Sequence, residues 1–134
     1  MKVLPPLAAT AAVAMLTFAG PAQAANEKDP AFKPCLQCHT LKEGKKKIGP
    51  SLFKIVGKPA GTMKKFKYSK LMKAASEAGL VWDAAQIEVY AQDPTKFLTE
   101  FVKNAGGTPK GKSKMVKKFK ADKAKAAAEF LAAQ

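Results

Sequence analysis

Two thiols and an imidazole stand within five residues, Cys35-Leu36-Gln37-Cys38-His39, and they are the only cysteines and the only histidine in the chain. Thiols three positions apart lie on about one helical turn, so both sulfurs can meet one edge of a flat ligand. Two thiols can add across two vinyl groups to give thioethers. The histidine that follows then lies beneath the ring plane, where its imidazole can bind an iron. This C-x-x-C-H pattern is that of covalent attachment of a c-type haem. A disulfide between cysteines this close would close only a tiny strained loop, and a thioredoxin-like redox pair needs a βαβ setting that the flanking sequence does not supply. The expectation is one haem c, held through Cys35 and Cys38, with His39 on the iron.

A haem iron with one histidine leaves its second axial position to be explained. Past the N-terminal region the methionines are Met63, Met72 and Met115. Met72 falls on an apolar helix stripe and suits packing. Met63 sits in a turn before a lysine cluster. Met115 ends a long polar loop that can fold back across the haem face opposite His39. Spacing favours Met115 without deciding among them.

The N-terminal two dozen residues read as an address and not as part of the fold. Met1-Lys2 is a short basic start, Leu7 to Ala19 carries no charge, and Ala22-Gln23-Ala24 is a small-x-small cleavage site. Residues 1–24 are expected to be a secretory signal peptide cleaved near Ala24/Ala25, leaving one domain over residues 25–134 in the periplasm. A membrane anchor is the rival reading. The apolar run is short for a ~20-residue span, and Pro5, Pro6, Gly20 and Pro21 interrupt its flanks. No later stretch is apolar enough to embed the protein in a membrane, and a monomer is expected.

The charge is one-sided. All 24 basic residues are lysine against 10 acidic ones, a formal net charge of +14 that loss of Lys2 would lower by one. Such a surface is drawn to acidic partners. Nucleic acid is disfavoured, because arginine, the residue suited to bidentate phosphate and guanine contacts, is absent and the chain is marked for export.

The elements that must position the haem motif are helical. Asn26 to Pro34 reads as a short, imperfect helix capped by Asp29 and interrupted by Pro34. Tyr68 to Ala78 is amphipathic through Leu71, Met72 and Ala75, and Gly79 ends it. Asp83 with Gln86 forms a capping-box start for a helix carrying Ile87 and Tyr90. Asp93-Pro94 begins another, with Phe97, Leu98, Phe101 and Val102 inward and Asn104 to Gly107 closing it. Ala121 to Ala133 is an Ala-rich terminal helix facing inward at Ala124, Ala127, Phe130 and Leu131. Gly49, Gly57 and Gly61 mark turns where backbone can approach something closely. With no strand pattern of any length, the fold class is all-α.

The ordered set of motifs resembles the class I cytochromes c, and most closely the bacterial cytochrome c2 type. The matching segments are Cys35-x-x-Cys38-His39-Thr40, Ile48-Gly49-Pro50-Ser51-Leu52-Phe53, Val56-Gly57-Lys58, Ala60-Gly61-Thr62, Phe66-Lys67-Tyr68-Ser69, Trp82, Asp93-Pro94-x-x-Phe97 and Lys114-Met115. The resemblance implies a small cytochrome c fold, helices wrapped around one covalently bound haem, with the N- and C-terminal helices crossing. It implies thioethers at Cys35 and Cys38, His39 below the iron and Met115 above it. It further implies a hydrogen bond from His39 to the Pro50 carbonyl, and Tyr68 and Trp82 as donors to a buried propionate; either aromatic ring can equally serve as core packing. Three features depart from the pattern. Pro34 intrudes on the N-terminal helix, with Phe32 one residue nearer the first cysteine than the family's aromatic. Lys58 stands where many relatives have arginine near a propionate. The Phe97–Met115 segment is longer than in the mitochondrial type, with Thr108 to Lys114 as apparent insertion.

The implied function is a soluble electron carrier and not an enzyme. A donor of the cytochrome bc1 type and an acceptor such as a terminal oxidase or photosynthetic reaction centre would dock on lysines around the haem edge. Lys42, Lys45, Lys46 and Lys47 lie on one side, and Lys110, Lys112, Lys114, Lys117 and Lys118 on the other. The competing function is a haem peroxidase or gas-binding protein with a labile distal ligand, against which the lack of a second histidine argues.

Overall fold

The computed structural model describes residues 26–134; the expected signal peptide and its cleavage point lie outside the described residues. Four helices follow one short 3-10 turn at Lys33–Cys35: α1, Lys70–Glu77; α2, Ala84–Gln92; α3, Pro94–Asn104; and α4, Ala121–Ala132. Among the described residues, strand pairing is limited to an isolated bridge between Pro59 and Val81. The fold is all-α.

Each helix starts where its sequence supplies an acceptor or a locked φ. Ser69 caps α1 by accepting from the Met72 N–H, so the helix opens just after Tyr68. At α2, Asp83 accepts from Gln86 N–H at 2.7 Å while the Gln86 side chain accepts from Asp83 N–H at 3.3 Å, both halves of a capping box. Asp93 caps α3 through Lys96 N–H, and Pro94 takes the first turn, where no N–H is required. Gly79, at φ +88, turns the chain out of α1 in a conformation that a Cβ would penalise.

The N-terminal helix expected over Asn26 to Pro34 does not form. Asp29 instead organises a turn. Its carboxylate accepts from Ala31 N–H, and its carbonyl from both Phe32 and Lys33 N–H. Pro34 has no N–H to give to Pro30, four residues back, so the helical ladder stops and the chain tightens into the 3-10 turn. The contact with the C-terminal helix survives through one ring. Phe32 is fully buried and stacks on Phe130 of α4, centroids 5.4 Å apart.

Helix α2 packs on α4, and α3 packs on both α1 and α2. Helix α4 buries Ala124, Ala127, Ala128 and Leu131, small side chains that let a neighbouring helix approach closely. The core runs from Phe32 through Leu71, Leu80, Trp82, Leu98 and Val102 to Leu131. Main-chain pairing places Trp82: its N–H donates to Lys58, its carbonyl accepts from Gly57, and Ala60 donates to Leu80. The indole then joins a ring cluster with Tyr90 at 4.9 Å and Phe97 at 6.0 Å, Phe97 in turn stacking on Phe101.

Two outcomes are expected from this packing. Phe32→Ala removes a fully buried ring and should cost about 3–5 kcal/mol in guanidinium unfolding, against about 0.5 kcal/mol or less for Val116→Ala, whose side chain is exposed. The second concerns Asp93, whose carboxyl is held below the ordinary 3.8 chiefly by Lys118 and next by the capping N–H of Lys96. A carboxylate with a lowered folded value stabilises above its unfolded value and loses that contribution as pH falls through the folded one. Asp93→Asn keeps the cap but loses the charge. The stability gap between it and the native protein should stay constant above about pH 5 and close as the solution is acidified below that.

Candidate functional site

The pentapeptide forms a single helical turn. Cys38 and His39 N–H both donate to the Cys35 carbonyl, at 3.1 and 2.9 Å, which sets the two half-buried thiols on one wall. Burial pushes the Cys35 thiol up, partly opposed by the nearby ammonium of Lys117, which reaches the same wall from the far side of the chain.

The next wall is built by main-chain bonds between residues 38–40 and 49–52. Gly49 N–H donates to Cys38 at 2.7 Å and Leu52 N–H to Thr40 at 2.9 Å. Between them Pro50, which has no N–H to pair, presents its carbonyl 2.8 Å from His39 Nδ1. A carbonyl only accepts, so Nδ1 carries the proton and Nε2 keeps its lone pair free to bind a metal. Burial lowers the pKa of His39, Lys47 adds to that, and the Pro50 bond opposes it; the balance favours the neutral ring. Gly49 makes this approach possible. A Cβ there would stand 2.7 Å from His39 Nδ1 and 3.0 Å from Nε2, inside contact distance.

These walls belong to one cavity of about 420 Å³, in the range of cofactor sites. Cys35, Cys38, His39, Pro50, Tyr68, Trp82 and Met115, the residues singled out in the sequence, all line it. So do Met63 and Met72, and their surroundings distinguish the three sulfurs. Met63 Sδ accepts from Ser51 N–H at 3.3 Å, on the other edge of the trans Pro50–Ser51 peptide from the carbonyl that meets His39. Met72 is buried on α1 with its Cγ against Gly61. Met115 arrives on the 113–119 segment from the opposite end of the chain, its N–H donating to Ser113 Oγ at 3.1 Å.

Two polar donors face the same cavity. The Tyr68 hydroxyl accepts from Met63 N–H at 3.2 Å, leaving its own proton to donate. The Trp82 side chain, only 7% exposed, brings its indole N–H to the same lining. Lys58, also on the wall, commits its ammonium to the Phe53 carbonyl at 2.7 Å and to the face of that ring. An apolar cavity lined by two thiols, an imidazole lone pair, thioether sulfurs and the Tyr68 and Trp82 donors fits a haem.

At the mouth, Ile48 and Val116 are exposed apolar side chains, 79% and 83% accessible, amid lysines. Several of those lysines also tie down main chain. Lys46 donates to the Lys65 carbonyl at 3.0 Å, Lys47 to Leu36, Lys114 to Lys67, and Lys118 pairs with Asp93 at 2.7 Å. Sequence reasoning missed Ser113 and Thr95, whose hydroxyls bond in the 113–115 region. The available signal was Tyr90, placed on an apolar stripe: a phenol hydroxyl carried into a core needs a partner, and Ser113 Oγ lies 3.4 Å away.

No family model matches the chain. Individual proteins do. Cytochrome c2 iso-1 of Rhodospirillum centenum is 45% identical over 91 residues, 66% of this chain and 76% of that protein. Cytochrome c2 of Cereibacter sphaeroides is 39% identical over 129 residues, 90% and 84% of the two chains. The structure of ferricytochrome c2 from Rhodopseudomonas palustris matches with a TM-score of 0.72 at 38% identity, covering 76% of this chain and 90% of that one. At such identity and coverage the likeness is one of descent as well as shape: the chain belongs to the cytochrome c2 family of electron carriers, which are not enzymes, and carries one covalent haem c, for which Cys35 and Cys38 have the required spacing.

Proposed function

We propose that this chain, exported and trimmed to a domain over residues 25–134, works in the periplasm as a His/Met-ligated shuttle between membrane complexes. Cys35 and Cys38 would hold the haem through thioethers, His39 Nε2 would bind the iron, and Met115 would supply the distal sulfur. The observation that carries this reading is the gathering of all four on one cavity, with the sulfur of Met63 engaged by Ser51 and Met72 packed on α1. When bound there, the group supplies a one-electron iron couple.

What the chain contributes is orientation and electrostatics. Pro50 fixes the imidazole plane and, by accepting from Nδ1, makes Nε2 a stronger donor to iron. Thioether ligation favours the reduced state and raises the potential. Tyr68, whose hydroxyl already accepts from Met63 and keeps its own proton, would donate to a propionate, and the Trp82 N–H would join it. His39 and Met115 together would leave no position open for substrate and would serve as ligands in both oxidation states.

The lysines supply docking. Lys114 and Lys117 line the cavity and Lys45, Lys46 and Lys47 are exposed beside Ile48, so a positive field surrounds an apolar centre. Such a field steers an acidic partner into encounter and lets it leave. By likeness to the family, the donor is a bc1-type complex and the acceptor a terminal oxidase or photosynthetic reaction centre. Helices of the described residues offer no membrane span.

Two measurements test the proposal. Met115→Ala should abolish the far-red sulfur-to-iron band of the oxidised protein and let the reduced form bind carbon monoxide, while Met63→Ala and Met72→Ala keep the band; a native spectrum in Met115→Ala would refute the ligand. In stopped-flow reactions with membranes holding the candidate complexes, the second-order rate should fall as salt rises and the ~8–10 Å Debye length at physiological strength shrinks. A rate independent of salt would remove the lysine field from the docking mechanism.

A further inference from the structure

The segment before Met115 is longer than the resemblance to the mitochondrial type would require, and it is solvated almost throughout. From Lys103 to Lys112 every residue is exposed except the half-buried Pro109. Past the end of α3 such a solvated stretch has few buried contacts of its own to hold a sulfur at a fixed point. Burial returns abruptly at Ser113, which is 6% exposed.

Ser113 is gripped from two directions. Its N–H donates to Thr95 Oγ1 at 3.1 Å. Its own Oγ accepts from Met115 N–H at 3.1 Å and lies 3.4 Å from the Tyr90 hydroxyl, within the Trp82–Phe97 ring cluster. Thr95 is a rigid place from which to hold anything. It sits in the first turn of α3, between the Asp93 cap and Lys96, directly after fully buried Pro94 with its locked φ. Beyond Met115 the chain is fastened to the same α2–α3 joint. Lys118 pairs with Asp93 at 2.7 Å, and Phe119 N–H donates to Ala91 at 2.9 Å. The partners run 95, 93, 91 as the segment runs 113, 118, 119, so the chain lies antiparallel along the joint with Met115 between two fastenings.

We propose that Thr95 is a positioning residue for the distal ligand. It fastens the chain at Ser113, where the long solvated loop ends, and thereby sets the backbone from which Met115 would reach the iron. The inference rests on the His/Met reading above and adds to it a residue that touches neither haem nor sulfur. Its physical basis is burial. Ser113 is itself buried, so its N–H left without Thr95 Oγ1 is poorly placed to find a replacement, and the Ser113–Met115 bond depends on Ser113 staying in place.

The test uses the haem-loaded protein and three variants. Thr95→Val keeps the shape and deletes the acceptor; Thr95→Ser restores it; Lys125→Gly weakens exposed α4 elsewhere and reports a merely structural loss. Added imidazole must displace Met115 from the ferric iron, so Thr95→Val should raise its apparent affinity by about three- to tenfold, the equivalent of one hydrogen bond. Amide exchange at Ser113 and Met115 should accelerate to a similar extent. Thr95→Ser and Lys125→Gly should match the native protein in both readouts. Unchanged affinity and exchange in Thr95→Val, or a Thr95→Ser variant that behaves like Thr95→Val, overturns the proposal. If Met115→Ala kept the native far-red band, the ligand reading would fall separately. Amide exchange alone would then decide whether Thr95 pins Ser113, and unchanged exchange would overturn that too.

Discussion

The hydrogen bond from His39 to the Pro50 carbonyl is the constraint on which the rest of the site turns. It joins the thiol-bearing turn to the 49–52 segment, selects the imidazole tautomer and leaves the Nε2 lone pair free on the cavity wall. Three sequence facts make it possible: a proline with no N–H of its own to pair, a glycine before it with no Cβ to strike the ring, and a main-chain ladder that holds the two segments in register. Everything else in a small all-α chain must then close around that wall. Trp82 is set by pairing with residues 57–60, Tyr68 by its bond to Met63, and Met115 by the α2–α3 joint.

The lysines carry two loads. Exposed and one-signed, they give the molecule a long-range attraction for acidic partners. Several also act as struts: Lys46, Lys47 and Lys114 donate to main-chain carbonyls of segments remote in sequence, and Lys118 closes an ion pair with the residue that caps α3. Exposed pairs of this kind contribute little each. Their arrangement around loops that lack regular structure still limits how those loops move. The positive charge of the surface and the tethering of these loops therefore draw on the same residues.

Much of the architecture was legible because it depends on near neighbours. The Asp83–Gln86 capping box, the Asp93-Pro94 start, the Leu98/Val102 stripe and the buried alanines of α4 follow from spacings of three and four residues, which a sequence displays directly. The N-terminal stretch failed on the same local grounds read too generously. Asp29 and Pro30 do suit a helix start, yet Pro34 removes the very N–H that its second turn needs, and what remains is a turn that delivers Phe32 to Phe130.

By itself the sequence determined the chemistry: two thiols and an imidazole at a fixed spacing specify a covalent haem, because those atoms lie within one helical turn wherever the chain goes. It also determined the positive field, which depends on composition more than on shape. Tertiary structure decided how the methionines stand around the cavity. Three methionines were available, and only packing separates one beside Pro50 and one on α1 from one carried over by a segment pinned to Thr95. Contacts between residues 12 and 18 apart depend on how loops and helices come together, and no local spacing encodes that.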